Sequence, residues 1–376
     1  MPSGIPLMPL YQPMVCATDV VGGAVRSSAP RIMKATATSA STPVWIRSRT
    51  APLFGSAFDD AVYGIPVTPR SAPYAGPGRD ATMSPMALDR ISLVIPPVGP
   101  WREQERWYRW AEDVGYDAVY TYDHLTHPTS PGLWLGEAFT TLTAAAAVTD
   151  RVLLGTLVAS AVLRTPVALA RVAMTVQDIT RGRLILGLGM GSPTCALADH
   201  GRRDELGEMS ARFTDVVRGY LAVLDGATDW EGRTISFHGL ETTAMPEGAE
   251  APELMLAAHG PRALALAAAH ADSWNTYGGP GSTTLEAEDY WALLGTQLAG
   301  FSDGCAAAGR DPETVRRSLL LGFGRVRPTA SVDDYVLAAE RAAVPGFDEL
   351  VVYGPESPAG MGSDPGVHEQ ALARLR

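Results

Sequence analysis

Lysine and asparagine are almost missing from this chain of 376 residues: Lys34 is the only lysine and Asn275 the only asparagine. The other 29 basic side chains are arginine. The bias reads as a GC-rich coding sequence, a statement about origin rather than function. With no lysine beyond position 34, Schiff-base chemistry is excluded from the regularly patterned part of the chain. Cysteine is scarce too. Cys16, Cys195 and Cys305 form no CxxC pair and no disulfide framework, so a thiolate metal site is not indicated and the setting reads as reducing and cytoplasmic. No run of about 18 apolar residues occurs, which excludes a membrane-spanning helix. The formal charge of -11 argues against a nucleic-acid partner.

Two regions differ in composition. Residues 1–85 hold 12 of the 29 prolines, seven Arg or Lys, four Asp and no Glu. Their apolar residues follow neither the helical nor the strand period. Such a segment buries too little apolar surface to offset ordering its backbone, at ~1–2 kcal/mol per residue. It is predicted to be a disordered, low-complexity extension, or the product of a start codon placed too far upstream, since Met83 and Met86 precede the ordered pattern.

Residues 86–376 alternate strand and helix. Apolar runs at Ile91–Ile95, Ala118–Thr121, Val152–Ala159, Leu184–Leu188, Glu253–Ala257, Ala271–Asn275, Ser318–Phe323 and Glu349–Tyr353 predict eight strands. Helical stripes follow each of them. Thr165-Pro166, Gly260-Pro261, Ser331 and Asp364-Pro365 are helix-start signals. Regular βα repetition implies a parallel sheet with right-handed crossovers. Eight units close into an α/β fold of the (β/α)8 TIM-barrel type. The rival, an open doubly wound sheet, wants a Gly-rich turn after its first strand, where this chain has Pro96-Pro97.

In a barrel the chemistry lies at the C-terminal strand ends. After the second strand come Asp123 and His124. An imidazole there can move a proton at neutral pH, or simply bond the rim backbone. His124-x-x-His127 has the look of two metal ligands but lacks a third at ligand-like spacing, so no metal is assigned. Gly187-x-Gly189-x-Gly191 is neither a dinucleotide fingerprint nor a P-loop. Its glycines either admit a flat or anionic ligand or make the turn. At Ala258-His259-Gly260-Pro261-Arg262 a helix N-terminus faces the barrel mouth, a suitable seat for phosphate to which His259 and Arg262 can add donors.

Four blocks carry a family resemblance: AEDVGYDAVYTYDHL (111–125), TDRVLLGTLVASAVLRTPVALAR (149–171), RGRLILGLGMGS (181–192) and AAHGPRALALAAAHADSWNT (257–276). In this order they resemble the bacterial luciferase-like oxidoreductases, (β/α)8 enzymes that use FMN or the deazaflavin coenzyme F420. The resemblance implies hydride transfer between a small organic substrate and coenzyme F420, with an FMN-dependent monooxygenase or a non-catalytic cofactor binder as alternatives. It implies His124 as the catalytic residue over the ring face, with Asp123 beside it. It implies a non-prolyl cis peptide at Leu157-Val158 supporting the ring, with Ser160 near the ring. Gly189, Gly191 and Ser192 fall in the loop beside the cofactor, and His259 and Gly260 at the phosphate. Three departures stand out. Ser192 occupies the place of a glutamate that sugar-phosphate dehydrogenases of the deazaflavin branch carry. No lysine is available for a substrate phosphate. His259 replaces a glycine. A homodimer is left open.

Overall fold

The computed structural model describes residues 88–127, 130, 132–241, 249–358 and 361–376. The extension read at 1–85 lies outside the described residues. Parallel pairing joins β1 (Arg90–Val94), β2 (Ala118–Thr121), β3 (Leu153–Thr156), β5 (Leu184–Gly189), β8 (Glu253–Ala257), β9 (Ser273–Thr276), β10 (Arg316–Leu320) and β11 (Glu349–Tyr353) in that circular order. Ser92 opposite Val351 closes the ring between β1 and β11. The barrel expected from the strand repetition is therefore formed. A short antiparallel pair, β6 (Trp230–Glu231) and β7 (Ser236–Phe237), lies outside the barrel sheet.

The outer layer consists of α1 (Trp101–Val114), α2 (Ala138–Ala146), α3 (Pro166–Ile179), α4 (Pro193–His200), α5 (Leu206–Leu224), α6 (Pro261–His270), α7 (Ala287–Ala307), α8 (Val332–Ala343) and α9 (Pro365–Leu375). Gly115 ends α1 in the left-handed region at φ 100°, donating its N–H to the Ala111 carbonyl, as its position predicts. The buried face of α1 is Gln104, Tyr108 and Ala111. Trp107 and Trp110 flank that face and donate their indole N–H groups to Glu356 and Glu369. A tryptophan needs a partner for its N–H, and the flank supplies one.

One strand is interrupted, at the Leu157-Val158 cis peptide that the resemblance implies. The third strand is not continuous over Val152–Ala159. It breaks at a cis peptide between Leu157 and Val158 and resumes as β4 (Ala159–Ser160). Before the break Gly155 faces Ile185; after it Ala159 faces Leu188. Four steps along one strand thus match three along its neighbour, which is a bulge of one residue.

The barrel interior is layered. Its N-terminal end holds charge: Arg90 donates to both carboxylate oxygens of Glu253, at 3.2 and 2.9 Å, and Arg316 approaches the same group at 3.3 Å. Burial alone would push the Glu253 carboxyl up, but the two guanidiniums hold it below the usual range. Ser92 and Tyr120 donate to Glu349 beside them. Above lies an apolar layer that includes Val94, Leu157, Ile185, Met255 and Val351. Between strands and helices a second, larger core forms around residues such as Leu154, Val217, Trp274 and Phe301.

Removing one partner of a buried ion pair leaves the others uncompensated, at about 3–5 kcal/mol. Glu253→Ala is expected to lower the unfolding free energy by about that amount, read by chemical denaturation, without reaching the opposite rim. A stability close to wild type would show that the pair is dispensable.

Candidate active site

Strand ends set the site. At the end of β2 the Asp123 carboxylate is 5% exposed. Its Oδ2 accepts the backbone N–H of Ser160 at 2.9 Å and Arg164 Nε at 3.2 Å, and its Oδ1 accepts Arg164 Nη2 at 2.7 Å. The same guanidinium reaches Glu137, the N-cap of α2, at 2.9 Å, and lies over the Phe139 ring at 4.9 Å. Asp123 therefore faces the protein. It fastens the β2 end to the resumed strand beyond the bulge, and its part in any ligand site is to hold that bulge.

The glycine motif serves the same bulge. A Cβ on Gly187 would lie 1.9 Å from the Thr156 carbonyl oxygen, one on Gly189 would lie 2.4 Å from Val158 Cγ2, and one on Gly191 would lie 2.3 Å from Ser160 Oγ. Three alternate glycines thus receive three alternate residues of the irregular strand. The sequence left a ligand loop or a plain turn open; the geometry adds a third role, close packing of the glycines against the irregular strand, with Gly191 alone of the three in the left-handed region at φ 90°. Ser160 Oγ is buried with no hydrogen-bond partner, and Val158 is only half-buried. A half-buried aliphatic side chain next to an unpartnered hydroxyl fits a flat ring with a polar edge.

His124 is half-exposed just past β2. Its Nδ1 lies 3.5 Å from the sulfur of Cys195, and Tyr122 meets its ring edge-on at 5.5 Å. From there aromatic rings continue around the mouth. Tyr122 and Tyr353 share a short hydroxyl contact. Tyr353 meets Phe323 at 5.3 Å, Phe323 meets Tyr277 at 5.0 Å, and Tyr277 meets His259 at 4.5 Å. The rim therefore has two arcs between His124 and His259. One is aromatic, from the ends of β11, β10 and β9. The other is the bulge and glycine arc of β4 and β5.

His259 is held in one tautomer. The Gln297 amide donates to the Gly278 carbonyl, so its oxygen accepts the Thr276 hydroxyl at 2.7 Å. Thr276 must then accept from His259 Nδ1, 3.0 Å away. Burial pushes the His259 imidazole down to about 4. The ring is thus neutral near pH 7, and its Nε2 carries a lone pair. The structure thus commits Nδ1 to Thr276 and leaves Nε2 without a hydrogen bond to Thr276 or Gln297. Gly260, the N-cap of α6, has open space where a Cβ would project, and the first turn of α6 offers N–H groups without helical acceptors.

Ser192 has a structural duty. It caps α4, its hydroxyl accepting the Cys195 N–H at 3.2 Å and meeting the Thr194 hydroxyl at 3.0 Å. The sequence reading missed α4, Cys195 and Arg164. Ser192-Pro193 repeats the cap-then-proline signal of Thr165-Pro166 and was sufficient to find the helix. Nothing local marks Arg164 as a partner of a residue 41 positions earlier. His127 is buried near His124. Among the described residues no group of three or more His, Cys, Asp or Glu is arranged to hold a metal ion.

The chain matches the luciferase-like monooxygenase family over residues 80–331, and it belongs to that family. It is 28% identical over 291 residues to the F420-dependent hydroxymycolic acid dehydrogenase of Mycobacterium tuberculosis, covering 70% of this chain and 72% of that one. It is 34% identical over 175 residues to another protein of that organism, assigned by name to the coenzyme F420-dependent oxidoreductases. The match spans 44% of this chain and about half, 48%, of that relative. The fold also superposes on an F420-dependent secondary alcohol dehydrogenase solved with an F420–acetone adduct, at a TM-score of 0.64 and 14% identity, covering 77% of this chain and 98% of that one.

If the glycines serve the bulge, Gly189→Ala destabilises the protein even with no ligand added. The expected cost is about 1–3 kcal/mol, seen as a lower melting temperature. An unchanged melting temperature with weakened ligand binding would assign the glycine to the ligand instead.

Proposed function

We propose that this protein is a coenzyme F420-dependent oxidoreductase that passes hydride between the deazaflavin ring and a small organic alcohol or its carbonyl partner. The observation that carries this reading is His124, half-exposed at the end of β2 and adjacent in sequence to Asp123, which holds the strand bulge through the Ser160 N–H. Family membership and relatives that are F420-dependent by name support it.

The residues present fit the coenzyme. Val158 would back the ring, and the unpartnered Ser160 hydroxyl would meet its polar edge. Gly260 and the first turn of α6 would take the phosphate. His259, a neutral acceptor, would take a hydroxyl rather than the phosphate itself. Leu157, Gly189, Gly191, Asp123 and Ser192 would shape the seat without touching the reacting atoms. Bound coenzyme supplies a two-electron hydride acceptor. In the oxidising direction the alcohol proton goes to His124, and the carbinol hydrogen leaves with its electron pair. The aromatic arc of Tyr122, Tyr353, Phe323 and Tyr277 favours a substrate with an apolar body.

General acid–base catalysis is worth about 100-fold or more. His124→Ala is expected to lose turnover by at least that factor while coenzyme affinity, from an absorbance titration, changes by less than about threefold. Undiminished turnover would remove His124 from the reaction. Titration of the wild type with F420 and with FMN separates the readings: uptake of FMN alone would favour the monooxygenase chemistry, and uptake of neither would end both.

A further inference from the structure

We propose that Cys195 is the positioning residue of His124: its sulfur accepts the Nδ1–H of the imidazole, fixes the ring, and leaves Nε2 as the atom that exchanges the proton. The role in turnover rests on the reading of His124 given above; the hydrogen-bond assignment does not.

Several observations converge on this pair. The sulfur lies 3.5 Å from His124 Nδ1, a reasonable length for a bond to sulfur, whose radius exceeds that of oxygen. A histidine that moves protons usually has its second nitrogen oriented by a carboxylate or carbonyl. The adjacent carboxylate, Asp123, is taken up by Arg164 and Ser160 and is not bonded to the ring. Among the described residues the hydrogen-bond partner of His124 is the sulfur.

The position of Cys195 suits a negatively charged acceptor. It is the third residue of α4, whose first turn carries the positive end of the helix dipole. Burial tends to push the thiol up, but His124, the Ser192 hydroxyl and the Leu125 N–H draw it down to about 6. Above that pH the sulfur is mainly a thiolate, able to accept Nδ1–H and to balance the charge that appears when Nε2 takes a proton. Below it the sulfur becomes a thiol and this support weakens.

The other groups around the pair are accounted for. Tyr122 faces the His124 ring edge-on, and burial keeps its hydroxyl protonated. His127 is pushed down first by burial and then by its proximity to His124. Val162 and Met209 bring apolar side chains to Cys195. Arg164 is paired with Asp123 and Glu137, and Arg212 is bonded to the carbonyls of Ala161 and Arg164. Cys195 is itself 0% exposed, so it is not available to attack a substrate. The sulfur acts through the histidine.

Nitrogen NMR of the histidine rings in the coenzyme-free protein tests the assignment directly. His124 is expected to carry its proton on Nδ1 at pH 7.5, and Cys195→Ala is expected to move it toward the Nε2–H form. Ultraviolet titration should show a thiolate signal that Cys195→Ala removes. In turnover, Cys195→Ala should lower kcat about 10–100-fold, the range typical of residues that orient a functional ligand, with KM nearly unchanged. The acid limb of the kcat profile should shift as well. Cys195→Ser, a neutral acceptor, should restore part of kcat. A folded Cys195→Ala protein with the wild-type tautomer and pH profile would overturn the proposal. So would an Nε2–H tautomer in the wild type, which decides the matter even if the alanine variant does not fold. The two readings fail separately. A His124→Ala protein that still turns over, in a chain whose tautomer depends on Cys195, would refute the catalytic role and leave the pair intact.

Discussion

The Asp123 carboxylate holds the barrel mouth together. It joins the end of β2 to the strand beyond the bulge through the Ser160 N–H, and to the α2 cap through Arg164. A buried carboxylate is costly unless charge and hydrogen bonds compensate it. Here a two-point guanidinium contact and a main-chain donor do so. The residue next to His124 therefore fixes the floor on which any ligand rests, while His124 itself remains half-exposed. Neighbours in sequence have separate tasks because successive residues at a strand end point to opposite sides.

Around that anchor the rim divides by chemistry. One arc is backbone-rich, since Gly187, Gly189 and Gly191 leave room for the residues of the interrupted strand. The other arc consists of aromatic side chains from the ends of β9, β10 and β11. A planar coenzyme suits the first arc and an apolar substrate the second, with His124 and His259 at the two junctions. His259 joins through a hydrogen-bond relay that ends on the Gly278 carbonyl, which is why its protonation state follows from geometry and burial together.

The opposite end of the barrel has a different purpose. Arg90, Glu253 and Arg316 form a compensated cluster among the strand N-termini. In this fold the lower face carries stability and the upper loops carry chemistry. The separation allows the loop after β2, where Leu125 is about half exposed, and the short helix α4 after β5, where Leu197 is likewise, to vary without disturbing the closure of the sheet.

Strand repetition, helix stripes and cap signals were local, so all eight barrel strands and the eight-unit closure were legible in the residues. So were His124 as a strand-end residue and the helix start at Gly260, because short motifs mark strand ends; the cis peptide at Leu157-Val158 was implied only by the family resemblance. The roles of the remaining site residues were not. Asp123 reads as a ligand neighbour, and the structure adds its bond to Arg164; the glycines read as a ligand loop or a turn, and the structure adds the bulge packed against them. His259 reads as a possible donor, and which of its nitrogens holds the proton follows only from Thr276 and Gln297. Cys195 lies 71 positions from His124 and carries no motif of its own. Periodicity and capping act over a few residues and are written in the sequence; hydrogen-bond direction, charge pairing and steric room arise between distant segments, and only the closed barrel brings those segments together.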